Sequence, residues 1–292
     1  MLQYDAPLYR PPSEARSLIF QVTLGCSFNE CSFCDMYRSK EYEERPWEDV
    51  KSEIDLMARH MAGARRVFLA DGDALNLDPE YMCRITRYIR SRIPSVERIS
   101  CYAMPSNILR RTPEQLSMMR EAGLDMLYLG IESGSDEVLK KVTKGAVAAT
   151  IIKSVNKAKA AGYLMSCMVI LGLGGRRLSG DHAAGTARVL SECSPHYVGA
   201  LTLYLENGIK GEFLSKYGGE FEPVSDEEAL AELRAIVEGI NPDGPVIFRA
   251  NHGSNAYTIG GTLPRDREAM LERIDGMMGR PEIARPPGLR GF

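Results

Sequence analysis

The sequence predicts an α/β fold of parallel strands, arranged as a partial (β/α)6 barrel with a short C-terminal extension. Three observations carry that expectation. Six short apolar runs rich in β-branched residues recur along the chain, and most are followed at once by Gly, Asp or Pro, as buried strands are. Amphipathic helical patterns fill the spaces between them. The chain has 292 residues, 44% hydrophobic and 26% charged, enough to bury a large core and remain soluble. Strands and helices alternating in this way are joined by right-handed crossovers, and in such folds the chemistry gathers at the carboxyl ends of the strands.

The first strand is SLIFQVTL at residues 17–24. WEDVKSEIDLMARHMAG (47–63) follows Pro46, which suits a helix start, and stops at Gly63. RVFLA (66–70) is the second strand, DPEYMCRITRYIRSRI (78–93) a helical pattern, and RISCYAM (98–104) the third strand. TPEQLSMMREAG (112–123) opens with Thr112 as cap, then Pro113 and Glu114, and ends at Gly123. MLYLGIE (126–132), SCMVILGL (166–173) and YVGALTLYL (197–205) are the remaining strands. SDEEALAELRAIVEGI (225–240) begins with a capping-box pattern, Ser225 to Glu228. FRANHGSNAYTIGGTLPRDREAML (248–271) reads as a polar, Gly-punctuated loop before a Pro-started helix. The tail, 279–292, is rich in Pro, Arg and Gly and is expected on the surface. The expected organisation is an N-terminal extension at 1–16, a core at 17–205, and a C-terminal extension at 206–292 packed on the same domain.

A net charge of -3 gives no reason to expect nucleic acid or an acidic membrane surface. The start of the chain lacks the basic-then-apolar pattern of a signal peptide, and no apolar run approaches the ~20 residues of a membrane helix. Seven cysteines are an odd number, and four stand singly at Cys83, Cys101, Cys167 and Cys193. These read as small core residues in a reducing cytoplasm.

The other three crowd into GCSFNECSFCDMY (25–37) as Cys26, Cys31 and Cys34, spaced C-x4-C-x2-C after the first strand. Thiolates so close repel one another unless a metal neutralises them, and soft sulfur selects zinc or iron–sulfur. Structural zinc wants four closed ligands, and the extra donor His60 falls in a predicted helix. A plant-type [2Fe–2S] site shares the spacing but needs a distant fourth cysteine, and the next, Cys83, lies in a helical pattern. A [4Fe–4S] cluster on three thiolates leaves one iron open, and an open coordination position is a place for chemistry.

With this loop after a first strand, the sequence resembles the radical S-adenosylmethionine (SAM) superfamily over residues 18–205. Phe33 stands before the last cysteine as the family's aromatic does, although the usual spacing is C-x3-C-x2-C. LGIESGSDEVLKKVTKG (129–145) resembles the fourth-strand end of coproporphyrinogen dehydrogenases, methylthiotransferases and Elongator-type radical enzymes. The resemblance implies a three-cysteine [4Fe–4S] cluster whose open iron chelates SAM, and whose electron cleaves it to methionine and a 5′-deoxyadenosyl radical. It implies that Asp71, Gly72 and Asp73, in the place of a Gly-Gly-Glu motif, hold the SAM amino group. Glu132 would meet the ribose or amino-acid part, with Ser133 beside it. Gly172 and Gly174, in the place of a G-x-I-x-G-x-x-E motif, would pack the adenine. It further implies a small-molecule or peptide substrate and an electron donor such as flavodoxin or ferredoxin.

On the substrate side, His252 is the candidate acid, base or ligand among Asn251, Ser254 and Asn255. Tyr102, in the loop-proximal part of the third strand, is a second catalytic candidate, with Asn107 nearby in sequence. Arg176 and Arg177 suit either a carboxylate or solvent. Two other classes fit the cysteines: an iron–sulfur electron carrier, and a zinc-stapled binding protein on an α/β scaffold.

Overall fold

The computed structural model describes residues 4–205 and 207–291. In chain order the elements are β1 (Leu18–Gln21), β2 (Thr23–Leu24), β3 (Glu43–Glu44), α1 (Trp47–His60), β4 (Arg66–Ala70), α2 (Pro79–Arg92), β5 (Arg98–Ala103), α3 (Pro105–Arg110) and α4 (Pro113–Glu121). Then follow β6 (Met126–Glu132), α5 (Asp136–Lys141), α6 (Ala148–Ala160), β7 (Leu164–Leu171), α7 (Gly175–Cys193), β8 (Tyr197–Thr202), α8 (Asn207–Tyr217), α9 (Asp226–Gly239), β9 (Val246–Ala250), β10 (Ile259–Leu263) and α10 (Arg267–Asp275). The expected α/β class with mostly parallel strands is what the chain adopts. The chain divides into two compact units: residues 1–29, 36–129 and 156–165, and residues 30–35, 130–155 and 166–292.

In the first unit β1, β4, β5 and β6 lie side by side and parallel. Phe20, Phe68, Leu69, Ile99 and Leu127 are fully or almost fully buried, the pattern of strands covered on both faces. The predicted first strand breaks after Gln21. Thr23 and Leu24 peel away to pair antiparallel with Glu44 and Glu43. The cysteine loop is therefore the link of a small two-stranded ribbon. Helix ends follow their caps: the Asp78 carboxylate accepts from the Glu80 and Tyr81 N–H groups, and Thr112 and Gln115 form a capping box. Trp47 begins α1, with the Arg84 guanidinium 3.8 Å from its ring centroid. Buried Glu14 accepts from Arg98 (2.6 Å), Tyr128 (2.5 Å) and Ser100 (3.1 Å), which pins the N-terminal segment to β5 and β6.

In the second unit β7, β8 and β9 are parallel, and β10 returns antiparallel to β9. Two of these strands correct the loop expected over 248–271. The signal was masked because Arg249 interrupts the apolar run of β9 and two glycines stand in β10. Those glycines make room: a Cβ on Gly260 would lie 3.0 Å from Arg249 Cδ, and one on Gly261 would lie 2.5 Å from Met270 Sδ. The following helix starts at Arg267, three residues after Pro264. The Ser225 capping box opens α9 as expected. The tail docks on the surface, with Arg290 bidentate on Asp226 at 2.6 Å for both contacts. Among the described residues, no helix is long and apolar enough to cross a membrane.

Candidate functional site

Each residue singled out near a strand's carboxyl end is found there, and each unit carries its own set. In the first unit, β4 ends at Ala70 and delivers Asp71, Gly72 and Asp73, of which the two acids are wholly buried. Their tasks differ. Asp71 accepts from Lys40 Nζ (2.9 Å), from the Gly25 N–H (3.2 Å) and from the Gln21 amide (3.3 Å). Burial raises its carboxyl above the usual range, against the pull of Lys40. It ties the start of the cysteine loop to β4. The Gly72 N–H donates to Gly25 O at 3.0 Å in the same tie. Gly72 must lack a side chain, since a Cβ there would lie 2.7 Å from the Tyr37 ring and 3.0 Å from Cys26 Cβ.

Asp73 accepts from Ser27 at Oδ2 and also bonds Asn107. Its Oδ1 is buried without a hydrogen-bond partner among the described residues. Burial pushes its pKa up to about 7, opposed by Ser27 and Asn107. A buried carboxylate oxygen with no donor is the receptor an ammonium group fits. Tyr102 is half-buried, its ring edge-on to Phe68 at 5.1 Å and to Tyr128 at 6.2 Å.

In the second unit, Cys31 and Cys34 share a turn, the Cys34 N–H donating to Cys31 O at 3.1 Å. The Ser32 N–H donates to Val142 O at 3.0 Å, which fastens this turn to the end of α5. Glu132 ends β6 with φ of 64 and meets Lys144 Nζ at 2.8 Å. Burial works against the Lys144 charge, but Glu132 and the sulfurs of Cys31 and Cys34 outweigh it and raise its pKa. Ser133 Oγ accepts the Ser135 N–H and bonds His182 Nδ1 at 2.8 Å.

His182, on α7, is fully buried, and burial lowers its pKa to about 4. Its Nε2 lies 3.4 Å from Oε1 of Glu232, a buried acid on α9. That distance is too long for a good hydrogen bond. Glu232 instead accepts from the Gly172 N–H (2.6 Å) and Ser179 Oγ (2.5 Å), while burial raises its pKa to about 7. Gly172 has φ of 77, and a Cβ there would strike Val224 at 2.8 Å; a Cβ on Gly174 would lie 3.0 Å from Leu178 O. What makes these two positions glycine is thus the close approach of the chain's own segments. Arg176 and Arg177 meet Glu228 and Glu137 while staying half-exposed.

The 251–255 segment is built against β8. Ser254 Oγ accepts the Thr202 N–H (3.1 Å) and the Asn255 amide donates to Ala200 O (2.8 Å). His252 Nδ1 accepts the Ser254 N–H (3.2 Å), which leaves Nε2 to carry the ring proton when the ring is neutral. Burial and Arg285 lower its pKa, so the neutral ring is favoured near pH 7.

Sequence reasoning passed over Lys40, Lys144, His182 and Glu232. Helical periodicity hides the last two inside α7 and α9. Lys144 stood in the quoted 129–145 motif, but nothing in its spacing marked it. Among the described residues no cysteine is in a disulfide: Cys26, Cys31 and Cys34 are partly exposed, and the other four are buried. Among the described residues, no group of three or more His, Cys, Asp or Glu side chains is gathered as a metal site. The three-cysteine assignment therefore rests on the sequence of the loop.

Residues 20–180, more than half of the chain, match the family model described as Radical SAM superfamily. The heme chaperone HemW of Bacillus subtilis (strain 168) is 24% identical over 135 residues, covering 46% of this chain and 35% of that protein. Coproporphyrinogen III oxidase (HemN) from Escherichia coli, a radical SAM enzyme, superposes with a TM-score of 0.57 at 17% identity, over 77% of this chain and 53% of that one. Methylornithine synthase (PylB) superposes with a TM-score of 0.54 at 17% identity, over 91% of this chain and 83% of that one. The chain spans about a third of the length of HemW and about half that of HemN. At these identities the structural likeness establishes the fold.

Proposed function

The chain belongs to the radical SAM superfamily, and on that premise we propose that it is an enzyme holding a [4Fe–4S] cluster on Cys26, Cys31 and Cys34 and binding SAM beside it. The observation that carries this reading is the division of the seven cysteines by exposure. The three in the loop are partly exposed, and the four elsewhere are buried in the core. Three soft, accessible thiols with a lysine beside two of them suit an anionic iron–sulfur cluster by donor chemistry. The unpartnered Asp73 Oδ1 suits the ammonium of an amino acid.

When bound, the cluster supplies one electron, which splits the SAM sulfonium into methionine and a 5′-deoxyadenosyl radical able to take hydrogen from a substrate. The chain's own residues bind and orient. Asp73 accepts the SAM amino group, while Asp71 holds Gly25 and so the root of the cysteine loop. Gly72 leaves space beside Cys26. Glu132 and Ser133 are assigned to the ribose and amino-acid part, and the backbone at Gly172 and Gly174 to the adenine. His252, with Nδ1 accepting the Ser254 N–H and its ring proton on Nε2 when neutral, is the proposed proton carrier on the substrate side, and Tyr102 a second catalytic group.

Residues 17–205 form the proposed cofactor-binding core, and 206–292 the proposed substrate side. The proposed substrate is a small molecule or peptide, and the proposed electron donor a flavodoxin- or ferredoxin-like protein. A reducing cytoplasm is the fitting compartment.

The test is anaerobic reconstitution, iron and sulfide analysis, then reduction with dithionite in the presence of SAM and mass analysis of the nucleosides. About four irons per chain and 5′-deoxyadenosine are expected. Zinc, about two irons, or no nucleoside product from a loaded sample would overturn the reading.

A further inference from the structure

The Lys144 ammonium is fixed more firmly than a surface lysine needs. The cysteine turn is bonded to the end of α5 through Ser32 and Val142. The chain then turns through two left-handed residues, Thr143 with φ of 53 and Gly145 with φ of 70, with Lys144 between them. The Lys144 side chain is 11% exposed, its Nζ is 2.8 Å from Glu132 Oε1, and it lies 5.9 Å from the Phe33 ring centroid. Phe33 sits between the two cysteines of the turn. A Cβ on Gly130 would fall 1.8 Å from Glu132 Oε1 and 2.9 Å from Lys144 Nζ, so that position must be glycine for the pair to form. The sulfurs of Cys31 and Cys34 act electrostatically on the same ammonium.

We infer that Lys144 sets the reduction potential of the cluster, its fixed positive charge favouring the more negative reduced state and Glu132 opposing it. This rests on the three-cysteine [4Fe–4S] reading. The step is a one-electron reduction supplied by the external donor, with no bond made or broken. An iron–sulfur potential is tuned by nearby charge and by burial, and a buried ammonium keeps its effect where a solvated one is screened. Lys144 is a positioning and electrostatic residue in this account, acting through the cluster ligands.

The experiment is an EPR-monitored redox titration of anaerobically reconstituted wild type, K144M, K144R and E132Q, without SAM, after iron and sulfide assay of each. K144M is expected to load iron like wild type and to shift to a more negative midpoint. At the wild-type midpoint its reduced-to-oxidised ratio should fall about tenfold, the size of effect a single nearby charge in a partly screened interior produces. K144R should restore the wild-type value, and E132Q should shift it the opposite way. A loaded K144M with an unchanged midpoint overturns the inference, as does a shift of the same sign in K144M and E132Q. Should K144M not assemble a cluster, E132Q decides, and the absence of a positive shift there overturns it. A wild type that takes up no four-iron cluster sinks the parent reading instead, and this inference with it.

Discussion

Asp71 and Asp73 stand two residues apart on one strand end and have opposite situations. Asp71 accepts from Lys40, Gln21 and Gly25, while Asp73 keeps one buried oxygen without a donor among the described residues. Their substitution by asparagine should therefore separate stability from ligand binding. Asp71→Asn leaves Lys40, whose side chain is 5% exposed, with the half-exposed Asp5 as its remaining carboxylate among the described residues. Breaking a buried pair costs about 3–5 kcal/mol. A loss toward that size is expected in urea denaturation of the metal-free protein. Asp73→Asn should leave that curve nearly unchanged and weaken SAM binding to the reconstituted protein, by about tenfold or more for a lost charge-assisted bond. Equilibrium dialysis measures it. Equal binding by D73N and wild type would remove Asp73 from the site. Gly134 and Gly185 hold each other to glycine. Ideal Cβ atoms on Gly134 and Gly185 would fall 2.0 Å and 2.6 Å from the other glycine's carbonyl oxygen. Gly134 lies in the motif at the end of β6, and its glycine is required by a helix crossing close behind it.

That helix is α7, and with α9 it forms the buried support of the strand ends in the second unit. Glu232 on α9 holds the Gly172 N–H, and His182 on α7 holds Ser133. Glu232 lies outside the stretch that matches the family, yet it grips a glycine inside it. Its pKa near 7, against an ordinary carboxylate value near 4, means the folded state binds the proton more tightly than the unfolded state. The resulting stability is full below the unfolded pKa and is lost as pH rises through about 7. The midpoint of thermal unfolding should fall between pH 5 and pH 8, and the Glu232→Gln variant, which cannot ionise, should show a flatter profile. A wild-type slope unchanged in E232Q would show that another group is responsible. His182 works with the opposite sign, its lowered pKa removing stability as pH falls from about 6.5 toward 4. Elements such as these explain what the sequence could and could not disclose. Strands β1 and β4–β8 were legible because burial on both faces writes an apolar run, and α4 and α9 because Thr112 and Ser225 announce them. Strands β9 and β10 were not, because Arg249 and the Gly260–Gly261 pair answer to one another and to Met270 across space. The first-unit acids were found by position alone, and their division of labour depends on Lys40 and Ser27, partners far away in sequence.

Across the whole molecule, the cysteines give a check that needs neither substrate nor SAM. A thiolate, not a thiol, attacks a disulfide reagent, and burial both hides the sulfur and raises its pKa. Cys83 and Cys101 are shifted upward by burial, and Cys167 and Cys193 are fully buried. Cys26, Cys31 and Cys34 are partly exposed in their loop, where a disulfide reagent can reach them. Reduced, metal-free protein treated with an aromatic disulfide at neutral pH should thus show three fast equivalents, and all seven only in denaturant. After anaerobic reconstitution the fast three should fall silent while the slow four keep their rate, since only the loop thiols would be bound to iron. Replacing all four core cysteines by alanine should leave the iron content unchanged if the chain still folds. Replacing any one of the loop three should reduce it, because a cluster on two thiolates would have lost a third of its protein ligands. A reconstituted protein that still gave three fast equivalents would separate these thiols from the metal, and a fourth protected cysteine would close the iron position on which SAM binding depends.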